Sequence, residues 1–149
     1  MATIQLPPDF KDFLRLLNEE KVEYLLVGGY AVGFHGYPRA TKDMDIWVAV
    51  NPENAERLVR VFCRFGFSPT SISPVQFLDE KKVIQIGLEP FCIYVIMSVS
   101  GLDFAQCFTQ KINLFYEGIE VNLINLEHLK INKRAVGRLR DLADVDELP

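Results

Sequence analysis

The stretch from Val27 to Val50, VGGYAVGFHGYPRATKDMDIWVAV, constrains the fold more than any other part of the chain. The apolar run Tyr24 to Val27 ends at Gly28-Gly29, which reads as a strand feeding a glycine turn. Glycine lets the backbone turn sharply and lets a ligand approach the main chain. Tyr30, Ala31, Val32 and Phe34 then suit a short helix, whose first N–H groups lack partners and favour an anion such as phosphate. Gly36, Tyr37 and Pro38 close it. Arg39, Thr41 and Lys42 follow as a basic loop, and Asp43 to Val50 has the β-branched and aromatic content of a strand. Side chains two apart on a strand share a face, so Asp43 and Asp45 point one way while Met44, Ile46 and Val48 point the other. Two carboxylates side by side at the start of an apolar strand repel each other and resist burial. A divalent cation relieves both problems. Mg²⁺ takes oxygen ligands, usually one or two carboxylates with substrate phosphates, and a pair of such ions can clamp the attacking and leaving oxygens of a phosphoryl transfer.

Gly-Gly alone serves any tight turn, and Asp-x-Asp alone suits a solvated strand end. The two joined by an Arg/Thr/Lys loop, in that order on strand–helix–strand, are far more specific. The stretch resembles the nucleotidyltransferase motif of the DNA polymerase beta superfamily. Within it, the similarity is to small bacterial proteins related to the nucleotidyltransferase toxins of type IV (abortive-infection) toxin–antitoxin systems. Those proteins share Gly-Gly-x-Ala, often His-Gly, then Arg-x-Thr-x-Asp-x-Asp. The matching residues are Gly28-Gly29-Tyr30-Ala31, His35-Gly36 and Arg39-Ala40-Thr41-Lys42-Asp43-Met44-Asp45. The resemblance implies an α/β (α+β) fold with a small mixed sheet flanked by helices. It implies that Asp43 and Asp45 hold Mg²⁺ or Mn²⁺, and that Gly28, Gly29, Arg39, Thr41 and Lys42 hold the triphosphate of an NTP. The expected activity is transfer of a nucleoside monophosphate to a hydroxyl on an RNA or tRNA end, a protein or a small molecule. A cognate antitoxin is the partner the resemblance suggests.

The chain has 149 residues, enough for one domain with a real core, and residues 1–149 are expected to form a single one. Apolar content of 49% and charged content of 24% are ordinary for a globular protein. A net charge of −4 argues against a protein that coats nucleic acid, whose affinity comes from counterion release; RNA met at one local basic patch remains compatible. Cys63, Cys92 and Cys107 show no metal-ligand spacing, and their odd number and apolar settings suggest reduced thiols in a cytoplasmic protein. The longest apolar run, Phe91 to Met97, is too short to span a membrane.

Elsewhere, Phe10, Phe13, Leu14 and Leu17 fall at helical spacing, with Asp9 as the expected N-cap. Asn51-Pro52 starts a second helix, buried through Ala55, Leu58, Val59 and Phe62 and ended by Gly66. Val75 to Leu78 reads as a short strand, Lys82 to Leu88 and Cys92 to Met97 as two strands joined at Glu89-Pro90, and Asp103 to Phe108 as a short helix. Lys111 to Tyr116 and Ile119 to Ile124 flank Glu117-Gly118 as a hairpin. From Leu126 to Leu148, an apolar stripe of Leu129, Val136, Leu139 and Ala143 predicts one or two helices with a basic face of Lys130, Lys133, Arg134, Arg138 and Arg140. That face is either solvated or a phosphate contact. The C-terminal pattern of the family matches Leu126, Leu129, Lys133, Gly137-Arg138 and Asp141-Leu142-Ala143-Asp144, which places Lys133 near the nucleotide by resemblance. His35 either contacts phosphate or base or packs within its turn.

One position departs from the family. A third carboxylate normally stands on a later strand beside Asp-x-Asp. Aligned on Ser100-Gly101, that position is Tyr94, and the arginine two residues before it is Cys92. A phenol is neutral at pH 7 and ligates Mg²⁺ poorly. The alternative to an enzyme is therefore a degenerate, non-catalytic nucleotide- or partner-binding module that keeps the fold. Glu89, Asp79 and Asp103 are the carboxylates that could substitute.

Overall fold

A computed structural model describes residues 4–149. The first helix, α1 (Pro8–Glu19), sends Phe10, Phe13, Leu14 and Leu17 into the core. It begins one residue ahead of the expected N-cap: Pro7 occupies the cap position and Asp9 lies in the first turn. Proline tolerates that start because its missing N–H would have been unpaired anyway, and Asp9 there complements the helix dipole. Strand β1 (Tyr24–Val27) is buried along its whole length, and α2 (Gly28–Phe34) follows it directly. Strand β2 (Met44–Val48) carries the second Asp of the motif, and α3 (Pro52–Phe65) is capped by the Asn51 side chain, which accepts from Asn54 N–H.

The segment Val75 to Leu78 is not a strand. Pro74–Phe77 forms a single 3₁₀ turn, with Pro74 at its start and the Gln76 side chain accepting from Ser73 N–H at 2.8 Å. A proline opening and a local polar cap suit a tight helical turn better than a ladder, and Phe77 still reaches the core. Strands β3 (Val83–Ile86) and β4 (Ile93–Ile96), helix α4 (Phe104–Thr109), strands β5 (Ile112–Tyr116) and β6 (Ile119–Leu123), and helices α5 (Leu126–Val136) and α6 (Leu139–Glu147) complete the order. In the β5–β6 hairpin Tyr116 pairs with Ile119 across Glu117 and Gly118, both at positive φ. That is the turn whose twist matches the strands.

The fold is mixed α+β, one six-stranded sheet in the order β3-β4-β2-β1-β6-β5 with helices packed on it. Its central strands run β4 parallel to β2, β2 antiparallel to β1 and β1 parallel to β6. Phe13 of α1 meets Phe62 and Phe65 of α3 edge-on, and Phe62 in turn meets Phe77. Asn54 is the buried polar group of α3: it accepts from Glu23 N–H and donates to the carbonyls of Glu23 and Ala49. It thereby ties α3 to the start of β1 and the end of β2. Among the described residues no helix is long and apolar enough to cross a membrane.

The C-terminal stripe does not survive folding. Leu129 is buried, but Val136 is 40% and Leu139 88% exposed, and Ala143 is exposed as well. Gly137 adopts a left-handed conformation at the end of α5, so the two helices do not continue one face. Helix α6 instead turns two carboxylates inward, Asp141 and Asp144.

Candidate functional site

Asp45 lies in the middle of the sheet, opposite Val27 on β1 and Tyr94 on β4. Asp43 stands two residues earlier, where Met44 N–H donates to the Cys92 carbonyl at 2.9 Å and draws the start of β2 against β4. Around the pair opens a cleft of about 320 Å³. It brings together Gly28, Gly29, Arg39, Thr41, Asp43, Asp45 and Lys133. Lys42, expected beside them, is exposed and does not line this cleft. Arg138, Arg140, Asn132, Ser98 and Ser100 also line it. The sequence places Arg138 and Arg140 on a basic face but does not turn them toward the aspartates.

Both glycines stand where a side chain would crowd the cleft. Gly28 has φ +72°, and a Cβ there would collide with the Asp45 carboxylate; one at Gly29 would lie 2.6 Å from Thr41 Oγ1. The glycine pair thus lets the β1–α2 backbone lie directly against the carboxylate and the threonine.

The electrostatics are those of two carboxylates crowded together in a partly buried cleft. Asp43 Oδ1 is buried with no hydrogen-bond partner. Burial, and then the charge of Asp43, push the Asp45 carboxyl up to about 6, against smaller opposing pulls from Lys133, Arg138 and Arg140. An orphaned buried oxygen beside a carboxyl that resists ionisation is a donor set that fits a divalent ion.

The basic residues are themselves held in place. Arg39 makes a two-pronged ion pair with Asp144, Nε to Oδ1 and Nη2 to Oδ2, both at 2.9 Å. Lys133 is buried and sits 3.2 Å from Asp141 and 3.1 Å from Asp144. Arg138 donates to Asp141 at 2.7 Å. Burial alone would push Asp141 up, but the hydrogen bonds from Arg138 and Lys133 outweigh it and hold the carboxyl below the ordinary range. The Asp-Leu-x-Asp of α6 is therefore a clamp that joins the Arg39 loop to α5. His35 is a packing residue: Nε2 bonds the Ile124 carbonyl at 2.6 Å, outside the cleft.

Tyr94 stands level with Asp45 on the neighbouring strand, and its hydroxyl is 3.5 Å from Glu89. Desolvation, then the charge of Asp43, push its phenol further up, so it offers no anionic ligand at neutral pH. A second cavity, about 500 Å³, shares Ser98 with the cleft; it carries Glu23, Glu80 and Asp103 beside Trp47, Phe104 and Phe108.

Comparisons with known proteins bear on the fold and the family. A nucleotidyltransferase-assigned protein of Thermotoga maritima has a similar solved structure, with a TM-score of 0.61 at 16% identity over 96% of this chain and 94% of that one. An antigenic nucleotidyltransferase-like protein from Paracoccidioides brasiliensis gives 0.55 at 16% identity, over 91% of this chain and 71% of its own. At such identities the likeness establishes the fold. No curated protein matches the chain. The family model described as aminoglycoside-2''-adenylyltransferase matches residues 9–131, from α1 into α5. The chain thus belongs to the aminoglycoside-2''-adenylyltransferase family, among the nucleotidyltransferases.

Proposed function

We propose that this chain transfers a nucleoside monophosphate from an NTP–divalent metal complex to a hydroxyl acceptor. The acceptor hydroxyl gives up its proton to solvent as its oxygen bonds to the α-phosphorus, the bond from that phosphorus to the bridging oxygen breaks, and pyrophosphate leaves. The observation that carries the reading is the Asp43–Asp45 pair, with one orphaned buried oxygen, facing a wall of fixed cations.

In this reading Asp43 and Asp45 hold Mg²⁺ or Mn²⁺, which when bound neutralises phosphate charge as a Lewis acid. Gly28 and Gly29 offer main chain to the phosphates, and Thr41 adds a hydroxyl. Arg140, for which no ion-pair partner is found among the described residues, and Arg138 take phosphate oxygens from the α5–α6 side. Lys133 and Arg39 act as charges fixed by Asp141 and Asp144. Such preorganised charges act by positioning and electrostatic stabilisation, which is most of what phosphoryl transfer requires. The acidic, aromatic-lined cavity beside Ser98 suits an acceptor that carries both hydroxyls and ammonium groups, as an amino sugar does. RNA ends and protein hydroxyls are the other acceptors compatible with the site, and an antitoxin partner belongs with those.

Tyr94 opposite Asp45 favours a second reading, a nucleotide-binding module without transfer. Labelled NTP with Mg²⁺ or Mn²⁺, offered amino sugars, total RNA and carrier protein in parallel, separates the two. Transfer that is lost in Asp45→Asn supports the enzyme. Metal-dependent NTP binding without transfer, together with transfer gained in Tyr94→Asp, supports the module.

A further inference from the structure

The loop between β3 and β4 brings two side chains with metal-ligand chemistry, Glu89 and Cys92, to Asp43 at the start of β2. One ligating atom from Asp43, one from Glu89 and one from Cys92 all lie within 4.8 Å of one another. The register accounts for two of them: Met44 N–H holds the Cys92 carbonyl, so Cys92 stands level with Asp43 across the β2–β4 seam. Glu89 comes from the loop five residues before Tyr94 and leans toward the Tyr94 hydroxyl at 3.5 Å.

The group has too many acceptors for its surroundings. Asp43 Oδ1 is buried without a partner. Among the described residues no Lys or Arg hydrogen bond or ion pair reaches Asp43 or Glu89; Gln85 Nε2 donates to the Cys92 sulfur at 3.4 Å, and the Tyr94 hydroxyl is a second polar neighbour of that thiol. A buried cysteine in an ordinary packing role would have apolar neighbours rather than two carboxylates. A divalent ion between them would offset the like charges of Asp43 and Glu89 and give the Asp43 carboxylate a partner.

We propose that Glu89 and Cys92 complete the metal site with Asp43, so that this chain replaces the missing third carboxylate with a carboxylate and a thiolate from the other side of Tyr94. The inference rests on the transfer reading for the ion's role, but not for its ligands. A thiolate changes which ion is preferred. Sulfur is a soft donor that favours Zn²⁺ and Co²⁺, whereas Mg²⁺ demands oxygen and near-ideal octahedral geometry. The site should therefore bind Co²⁺ or Zn²⁺ more tightly than Mg²⁺, and binding should release the thiol proton.

The test uses the full chain and Co²⁺ alone, read by absorption. The wild type should show a sulfur-to-cobalt charge-transfer band in the near ultraviolet, and Cys92→Ser should lose it although Cys63 and Cys107 remain. Glu89→Gln should weaken Co²⁺ binding by about tenfold or more, the scale on which metal-site partners act. Because Glu89 is exposed, that variant keeps its fold. Absence of the band in the wild type, persistence of the band in Cys92→Ser, or wild-type Co²⁺ affinity in Glu89→Gln would each overturn the proposal. Calorimetry of Mg-ATP on the same proteins keeps the two readings apart. Mg-ATP bound normally beside a failed cobalt test sinks the Glu89–Cys92 site alone. ATP bound equally well in EDTA sinks the metal-dependent transfer reading itself.

Discussion

At Asp45 the proposed role in metal binding is opposed by the cost of placing a charge there. Its carboxyl is pushed up to about 6 by burial and by Asp43. A group whose folded pKa is raised holds its proton longer in the folded than in the unfolded state. Stability is then lost as pH rises from the ordinary carboxylate value toward the raised one, and stays lost above it. At about 1.4 kcal/mol per pH unit, the raised value corresponds to a penalty on the order of 2–3 kcal/mol at neutral pH. Asp45→Asn should therefore raise the melting temperature of the metal-free protein at pH 7.5 and change it little at pH 4. Thermal melts at the two values, in EDTA, check this, and an equal shift at both would refute the burial argument. Asp141 has the opposite sign: its lowered carboxyl contributes stability above the ordinary carboxylate range and loses it on acidification. The sequence showed Asp43 and Asp45 on one face, because strand alternation is a local rule. It could not show the burial of Asp45 or the reach of Glu89, which depend on strand neighbours and a loop path that no periodicity encodes.

At the scale of elements, the strands were legible as apolar, β-branched runs between turn residues, although β1 is buried on both faces, and the long helices were legible from their 3.6 period. The periodic rule fails at helix α6. Its stripe of Leu139 and Ala143 pointed to an apolar inner face, yet the residues turned inward are Asp141 and Asp144. The pairing that decides this lies far away in sequence: Arg39 and Asp144 are separated by 105 positions. The one available signal was the acidic Asp-Leu-x-Asp directly after a basic run, which can be a local charge reversal or a clamp. In the structure Asp144, with its side chain 4% exposed, serves Arg39 and Lys133 together. Removing one member of such a buried pair typically costs 3–5 kcal/mol; here the part-exposed Arg39 is easily resolvated, so Asp144→Asn should cost about 2–3 kcal/mol. Urea unfolding measures it. Because the clamp also fixes the Arg39 loop beside Gly29, NTP affinity should fall in the same variant. A stability loss with unchanged affinity would mean that the loop is positioned by β2 alone.

At the scale of the molecule, a net charge of −4 conceals a division of charge. Arg39, Lys133, Arg138 and Arg140 gather around the aspartate cleft, while Glu23, Glu80 and Asp103 gather around the adjoining cavity. A small polyanion carrying its own divalent ion suits the first arrangement: under the proposed function the metal would meet Asp43 and Asp45 and the phosphate oxygens the cations. A long nucleic acid must also cross the acidic remainder, where counterion release gives it little. Mg-ATP should therefore stabilise the fold as a ligand of the native state only. At about a hundred times its dissociation constant this amounts to roughly 2.7 kcal/mol, a rise in melting temperature of about 5–10 °C for a chain of this size. The rise should vanish in EDTA, where the triphosphate meets two bare carboxylates, and should shrink with added salt as the cationic wall is screened. It should also be absent in Asp45→Asn at the same ATP concentration, even though that variant begins from a more stable metal-free state. Scanning fluorimetry across those four conditions decides the matter: an equal rise with and without the divalent ion would mean that the cations alone hold the nucleotide, and that the aspartate pair has another purpose.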